Sequence, residues 1–370
     1  MFIEISDSTG KGLTRLIENA PQHFRTPDIF EDLVFDSVNP GGFSVASFKV
    51  HRPVTQYQAD LQHRNWVTIG DGALIFWEGY IDKVNRSIRP DVFDISCLGW
   101  SAQLNQLWTT EDITVLVAGY KMSDFINTII LADPDTNLQP GNIQTSDYSY
   151  PENTVFTFTP SKFYSECLTQ LNAGNNWNWG VWEDKKFDFT PKKSLVDWYV
   201  YTDDCDSLTI SPNPENLFNY VRVNFTQDGS TYQQLDFEDE PSEVLYGVRK
   251  KQLDIPGEID EDTGGGATAI AKVYLSETKD LKVAAELTTS RIFDTNGSEH
   301  HLAEARAGDI VRLVPWMPTE ESISKVVDDI ATFEMKSAKY DHTRYELAIT
   351  PTEFVPQVEI QLSRIQATGY

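Results

Sequence analysis

Apolar positions along the chain alternate with period two more often than they recur at helical spacing, and that pattern predicts strands. Phe30–Asp36 reads as one strand, Asn39-Pro-Gly-Gly42 as a turn, and Phe43–Val50 as an alternating strand after it. Trp66–Ile69 and Ala73–Trp77 flank Gly70-Asp-Gly72 as a hairpin, whose second arm continues through Glu78-Gly79 past a kink or bulge. Val92–Leu98 alternates again. The period then changes: Trp100, Leu104, Leu107 and Trp108 fit i, i+4, i+7 and i+8, a short helix. Short strands this closely spaced predict a small barrel or sandwich over residues 1–108.

From 109 to 204 the signal is mixed. Ser123 suits the N-cap of a helix over Asp124–Leu131, which Asp133-Pro134 ends. Residues 133–154, rich in Asp, Pro, Asn and Ser, read as a long loop. Ser161 suits the cap of a second helix, Lys162–Ala173, with Phe163, Cys167, Leu168 and Leu171 on one stripe and Gly174 at its C-terminus. Trp177–Trp182 and Phe187–Pro191 form a hairpin of alternating aromatics. From 205 to 350 the chain returns to strands: Leu217–Phe225, Lys282–Leu287, Asp309–Val314, Ala331–Tyr340 and Tyr345–Ile349. Asp228-Gly229 is a hairpin turn, residues 236–265 an acidic loop, and Ala267–Lys279 a helix with Ile270, Val273 and Tyr274 on its apolar stripe. Residues 351–370 are a tail with one alternating strand, Val358–Leu362. The expected class is mainly β with an α+β insert: a β block, a small α+β unit, and a second β block that duplicates the first in topology.

Composition narrows the function. A net charge of −26 over 370 residues, with basic residues scattered, argues against tight binding to duplex DNA or an anionic membrane. No apolar run approaches the ~20 residues of a membrane-spanning helix. The N-terminus has no basic start followed by an apolar run, so no signal peptide is expected. Cys97, Cys167 and Cys205 are odd in number, match no zinc or redox spacing, and read as reduced and structural.

The candidate chemistry is thin. Ser8-Thr-Gly-Lys-Gly12 lacks the first Gly and final Ser/Thr of a phosphate loop and reads as a turn. Asp133-Pro-Asp-Thr-Asn137 starts like a calcium loop, but Leu138 and Gln144 replace its Gly and Glu. The adjacent His300 and His301 of a strand point to opposite faces, a poor arrangement for one metal. Carboxylate clusters at Asp203–Asp206 and Glu258–Asp262 read as solvated. No nucleophile elbow or metalloprotease motif is present, and neither an enzyme nor a cofactor is expected. Trp177 and Trp179 share a strand face and are the candidate aromatic binding surface, a platform for sugar rings, against the alternative of packing under the second helix.

Several stretches, taken in order, resemble the phage tail hub family (baseplate or tail-tip hubs). They are Gly79-Tyr-Ile-Asp-Lys-Val84 with Asp94-Ile-Ser-Cys-Leu-Gly-Trp100, then Trp179-Gly-Val-Trp182 with Phe187-Asp-Phe-Thr-Pro191. Glu215–Asn224, Ala307–Leu313, Phe333–Tyr340 and Tyr345–Ile349 follow. The loop at 236–265 and the tail lie outside the resemblance. It implies two tube-forming, barrel-like β domains around an α+β insert, and a homotrimer whose six domains match a six-fold tail tube to a three-fold tip. The implied partners are a tube or distal ring protein, a tip or fibre protein and a tape-measure protein. DNA passes through the lumen without specific binding, and the protein is assembled in the host cytoplasm into the virion tail tip. No catalytic residue carries over. Another tail-tip component, a carbohydrate-binding baseplate protein and a glycan-degrading enzyme are the alternatives.

Overall fold

The computed structural model describes residues 1–17, 30–51, 60–88, 91–107, 113–114, 119–146, 155–156, 163–172, 177–227, 231–258, 267–280, 282–314 and 332–352. The expected helix position Trp108, the capping Ser161, the C-terminal Gly174, the turn at Asp228-Gly229, the whole 259–265 stretch and the strand Val358–Leu362 lie outside them. The fold is mainly β with small α+β parts, as the alternation predicts.

The first block holds β1 (Phe2–Ser6), β2 (Gly12–Ile17), β3 (Phe30–Val38), β4 (Gly41–His51), β5 (Trp66–Asp71), β6 (Leu74–Ile88) and β7 (Asp91–Gly99). Their order across the sheet is β2-β1-β5-β6-β7-β4-β3, every neighbour antiparallel. The 8–12 stretch is a turn: the Asp7 carboxylate accepts the backbone N–H of Thr9 and Lys11 at 2.9 and 3.0 Å. The helix expected after β7 is a 3-10 segment, Trp100–Asn105, with Trp100 and Leu104 buried.

The insert adds β8 (Ile113–Thr114), β9 (Gln139–Ile143), β10 (Val155–Phe156), β11 (Asn178–Val181) and β12 (Lys186–Thr190). The aromatic hairpin is β11–β12. β9 falls inside the expected 133–154 loop; it is recruited parallel to β12, and Asp188 accepts the Asn142 N–H at 2.6 Å. The first insert helix starts earlier than expected. Lys121 is its N-cap and Ser123 is buried, because the Asp124 carboxylate reaches back to the Lys121 N–H at 2.8 Å. Only Met122–Phe125 is α-helical, and Ile126–Ile130 widens to a π turn closed by Leu131 N–H on Ile126 O at 2.9 Å. The second helix is Tyr164–Asn172, with Cys167, Leu168 and Leu171 inward.

The second block holds β13 (Trp198–Tyr201) and β14 (Cys205–Asn213), and resumes after a third unit. That unit is a three-stranded sheet: β15 (Tyr220–Gln227) at the centre, β16 (Thr231–Glu238) antiparallel and β17 (Lys250–Glu258) parallel to it. It corrects the expected acidic loop, whose described part carries the end of β16, a helix at Glu240–Tyr246 and β17. Asp239 caps that helix by accepting the Ser242 N–H at 3.0 Å, with Pro241 in its first turn. The helix Ala267–Thr278 covers the sheet through Ala267, Ala271 and Leu275, while Val273, expected inward, is exposed. Small alanines let this helix lie close on Val221, Val223 and Phe225.

The second block then continues with β18 (Lys282–Thr289), β19 (Ile292–Phe293), β20 (Glu299–His300), β21 (Ile310–Val314), β22 (Thr332–Asp341) and β23 (Glu346–Pro351). β14-β18-β23-β22 is an antiparallel run, and β21 pairs with β22 and with β13. β13 lies within 109–204 by sequence but pairs with strands of the second block.

The two blocks form one sheet. β22 pairs antiparallel with β3, from Ser337↔Val38 to Asp341↔Val34. Across this joint the Phe35 and Tyr340 rings lie 5.3 Å apart, and one apolar core runs from Ile3 and Trp77 to Val311 and Ile349. The insert is held against this sheet where β11 pairs with β4 at Gly41 and Gly42. Gly42 has φ +94°, and a Cβ there would overlap the Val181 backbone. Gly42→Ala is therefore expected to lower unfolding stability by about 3 kcal/mol. Urea denaturation checks this, and an unchanged midpoint would refute the close approach.

Candidate functional site

Among the described residues, a polar cleft lies where the insert meets both β blocks. It is a cleft of ≈ 250 Å³ whose lining includes Asn39 from the first block, Asn178 and Trp179 from β11, Lys193, and Arg306 and Asp309 from the second block. Three charge nodes organise it.

The first node is Glu334 on β22. Its carboxylate is 8% exposed and accepts the side-chain amides of Asn39 and Asn178, so one oxygen ties the first block and the insert to the second block. The second node is Arg306. Its guanidinium reaches Glu183 at 2.5 Å and the Ile75 carbonyl at 2.8 Å, and lies 5.2 Å from the Phe43 ring centre and 5.7 Å from that of Trp182. The third is Asp309, which accepts from Lys193 at 2.6 Å and from the Trp198 indole at 2.9 Å. Burial pulls the Lys193 ammonium down, but Asp309 and Asp197 outweigh it and the net shift is upward. Asp188 beside the cleft is pushed up, chiefly by burial, against the Asn142 N–H that holds it down.

A fourth polar contact clamps the insert from outside the cleft. Asp184 and Lys185 sit at positive φ, which turns the Asp184 N–H onto Glu78 at 2.8 Å. The Lys185 ammonium then lies 3.7 Å from the Trp66 ring centre and 4.5 Å from that of Trp100. Burial raises Glu78, opposed by hydrogen bonds from Trp100 and Asp184, and burial lowers Lys185, opposed by the Glu78 charge.

These charges pair with one another and join the insert to both blocks. Two of the thiols are not activated: burial pushes Cys97 up, and burial pushes Cys205 up to about 11. Among the described residues no group of three or more His, Cys, Asp or Glu side chains could hold a metal ion. His300 lies between Glu304 and Asp294, while the His301 ring stacks on Phe76 at 4.9 Å, so the neighbours do face apart. Asp133 accepts the Asp135 N–H and the Tyr164 hydroxyl, forming a turn beneath the second insert helix.

The candidate aromatic pair divides. Trp179 is 7% exposed and stacks on Phe187, with ring centres 5.9 Å apart and planes 3° from parallel. Trp177 is half-buried and tilts over Phe189 at 5.0 Å. Trp179 belongs to the insert core with Tyr164, Leu168 and Trp100. Sequence reading did not find Arg306, Glu334, Asn39 or Asn178 as a group. Their only common signal is that each borders a glycine turn or an aromatic strand, and the long-range pairing that gathers them leaves no local spacing.

No family model matches the chain, and no curated protein matches it. Solved structures do. The chain resembles a tail protein from Neisseria meningitidis with TM-score 0.64 at 13% identity, covering 95% of this chain and 96% of the other. A 43 kDa tail protein of prophage MuSo2 from Shewanella oneidensis gives 0.62 at 12%, covering 96% and 99%. The prophage tail protein gp18 from Listeria monocytogenes gives 0.59 at 12%, covering 99% of both chains. The chain therefore has the fold of these tail proteins, two of them from prophages, over nearly its whole length.

Two substitutions test the joint. Arg306→Met leaves Glu183 without its guanidinium and is expected to cost about 2 kcal/mol of unfolding stability. Trp179→Ala opens the insert core and is expected to cost about 3–5 kcal/mol. Both are read by chemical denaturation. Loss of sugar binding on Trp179→Ala, with stability unchanged, would instead favour a platform.

Proposed function

We propose that this chain is a structural virion protein: the trimeric hub of a phage tail tip, joining a six-fold tube to a three-fold tip and lining the DNA channel. The observation that carries this reading is the fold match, which spans 95% or more of the chain for each of three tail proteins. Two further features support it. The two β blocks lie side by side in one sheet, so three chains would supply six blocks to a ring. The net charge of −26 suits a lumen that repels DNA phosphate and keeps it from adhering during passage. The charge-paired cleft then has a mechanical role, fixing the insert to both blocks.

On this reading the partners are a tube or distal ring protein above, a tip or fibre protein below, and the tape-measure protein within. It needs no cofactor and no turnover. Native mass spectrometry of the purified protein is expected to give about 126 kDa, three times the 42.0 kDa chain, with a central hole in negative-stain images. A strict monomer at the highest soluble concentration would contradict the trimer. Replacing carboxylates that the ring turns inward by their amides is expected to slow DNA ejection; an unchanged rate would remove the electrostatic part of the proposal.

A further inference from the structure

The two β blocks repeat one another rung by rung. The first has the strand order β6-β7-β4-β3 and the second β22-β23-β18-β14, all antiparallel. Each block uses an earlier hairpin and a later one in the same chain order: β3–β4 then β6–β7, and β14–β18 then β22–β23. The third unit is spliced between β14 and β18. The row Ile81↔Cys97↔Ala46↔Phe35 of the first block matches Ala338↔Ile349↔Leu287↔Leu208 of the second. Two residues along β7 and β23, the pair Val84↔Ile95 matches Tyr340↔Leu347.

One member of these rows does not fit a single chain. Phe35 is 5% exposed because β3 continues into β22 and its ring packs on Tyr340. Its counterpart, Leu208, is 38% exposed. Among the described residues β14 pairs with β18 and with no strand on its other edge. The surface that would cover Leu208 has a counterpart too. β22 is shared: its first half pairs with β21 of its own block and its second half with β3. The first half of β6 likewise pairs with β5, and Arg64 and Asn65 extend this by bonding Ile81 at 2.9 Å. Among the described residues no strand pairs with that edge of β6 from Lys83 onward. The residue there that matches Tyr340 is Val84, already packed against the shared core.

We infer that β14 of one copy of this chain adds antiparallel to the second half of β6 of a second copy, in the register Leu208↔Val84, Thr209↔Lys83 and Ser207↔Asn85. The joint between copies thus repeats the β3·β22 joint within a copy. Backbone hydrogen bonds complete two open strand edges, and Leu208 covers Val84 as Phe35 covers Tyr340. The next rung brings Asp206 opposite Arg86, an opposite-charge pair at the place where Leu33 O accepts the His342 N–H at 2.9 Å within the chain. The contact is head-to-tail, so it closes into a ring or grows without limit. Closure at three copies rests on the hub reading above.

The test is disulfide trapping in the full chain with Cys205→Ser throughout. Leu208→Cys with Val84→Cys is expected to give, on oxidation, linked species of two and three chains. The single variants, and Leu208→Cys with Lys83→Cys, whose side chain points to the other face, are expected to give none. A native trimer that yields no Leu208→Cys/Val84→Cys product would overturn the strand assignment and leave the ring reading standing. A ladder running past three chains would support the strand pairing and overturn three-fold closure. A monomer with no product would overturn both. Leu208→Lys lies on a surface exposed in one chain, so its melting temperature, taken at a concentration where it and the parent protein are both single chains, should be unchanged, while half-assembly needs roughly tenfold more protein. Unchanged assembly of that variant would also overturn the inference.

Discussion

The rest of the structure depends on the pairing of β3 with β22. These strands lie about three hundred residues apart in sequence, so no local signal brings them together. Once paired, their register decides which side chains enter the shared core. Phe35 and Tyr340 face inward on opposite strands, while the next opposed pair, Asp36 and Lys339, is on the other face. A slip of one residue would exchange these sets and bury a carboxylate in place of a phenyl ring. Asp36 already feels part of that cost: burial raises it, and the Val45 N–H at 2.7 Å opposes the rise. The correct register is thus fixed by apolar burial on one face and by the cost of buried charge on the other.

The insert is locked to this sheet by a different kind of contact. Gly42 lets the backbone of β11 approach β4, and Asn39 in the adjoining turn reaches Glu334 on β22. Arg306 and Asp309 come from the loop before β21 and grip Glu183 and Lys193 of the insert. The cleft is therefore a meeting point of three chain segments whose charges neutralise one another. Such a network favours one arrangement of the parts, because removing one partner leaves another half-buried and unpaired.

Much of this was legible where the physics is local. Alternation marked β3, β4, β6, β7, β22 and β23 within a few residues, because each hides one face and exposes the other. The turn at Asn39–Gly42 was legible for the same reason. The reading failed where neighbours distant in sequence decide the conformation. β9 and β17 carry many polar and proline or glycine residues; they are strands because β12 and β15 offer them parallel edges. On the helix at Ala267–Thr278, Tyr274 packs on the core as expected but Val273 is exposed and Ala267 and Ala271 lie inward, because close approach to a sheet favours alanine over larger side chains. At the cleft, Trp179 stood out by type, whereas Arg306, Glu334 and the two asparagines gain meaning only from the fold.

The central claim is that one chain carries two copies of a ring-forming block, joined inside the chain as copies of the chain are joined to one another. It links the exposed Leu208 edge, the half-used strand β6 and the match to tail proteins in one geometric account. The most direct measurement is an electron cryo-microscopy map of the assembled protein. The account predicts three chains around a channel, with one continuous inner sheet in which β14 of each chain lies against β6 of the next. A closed ring whose chains meet through other elements, with β14 and the second half of β6 both facing solvent, would contradict it.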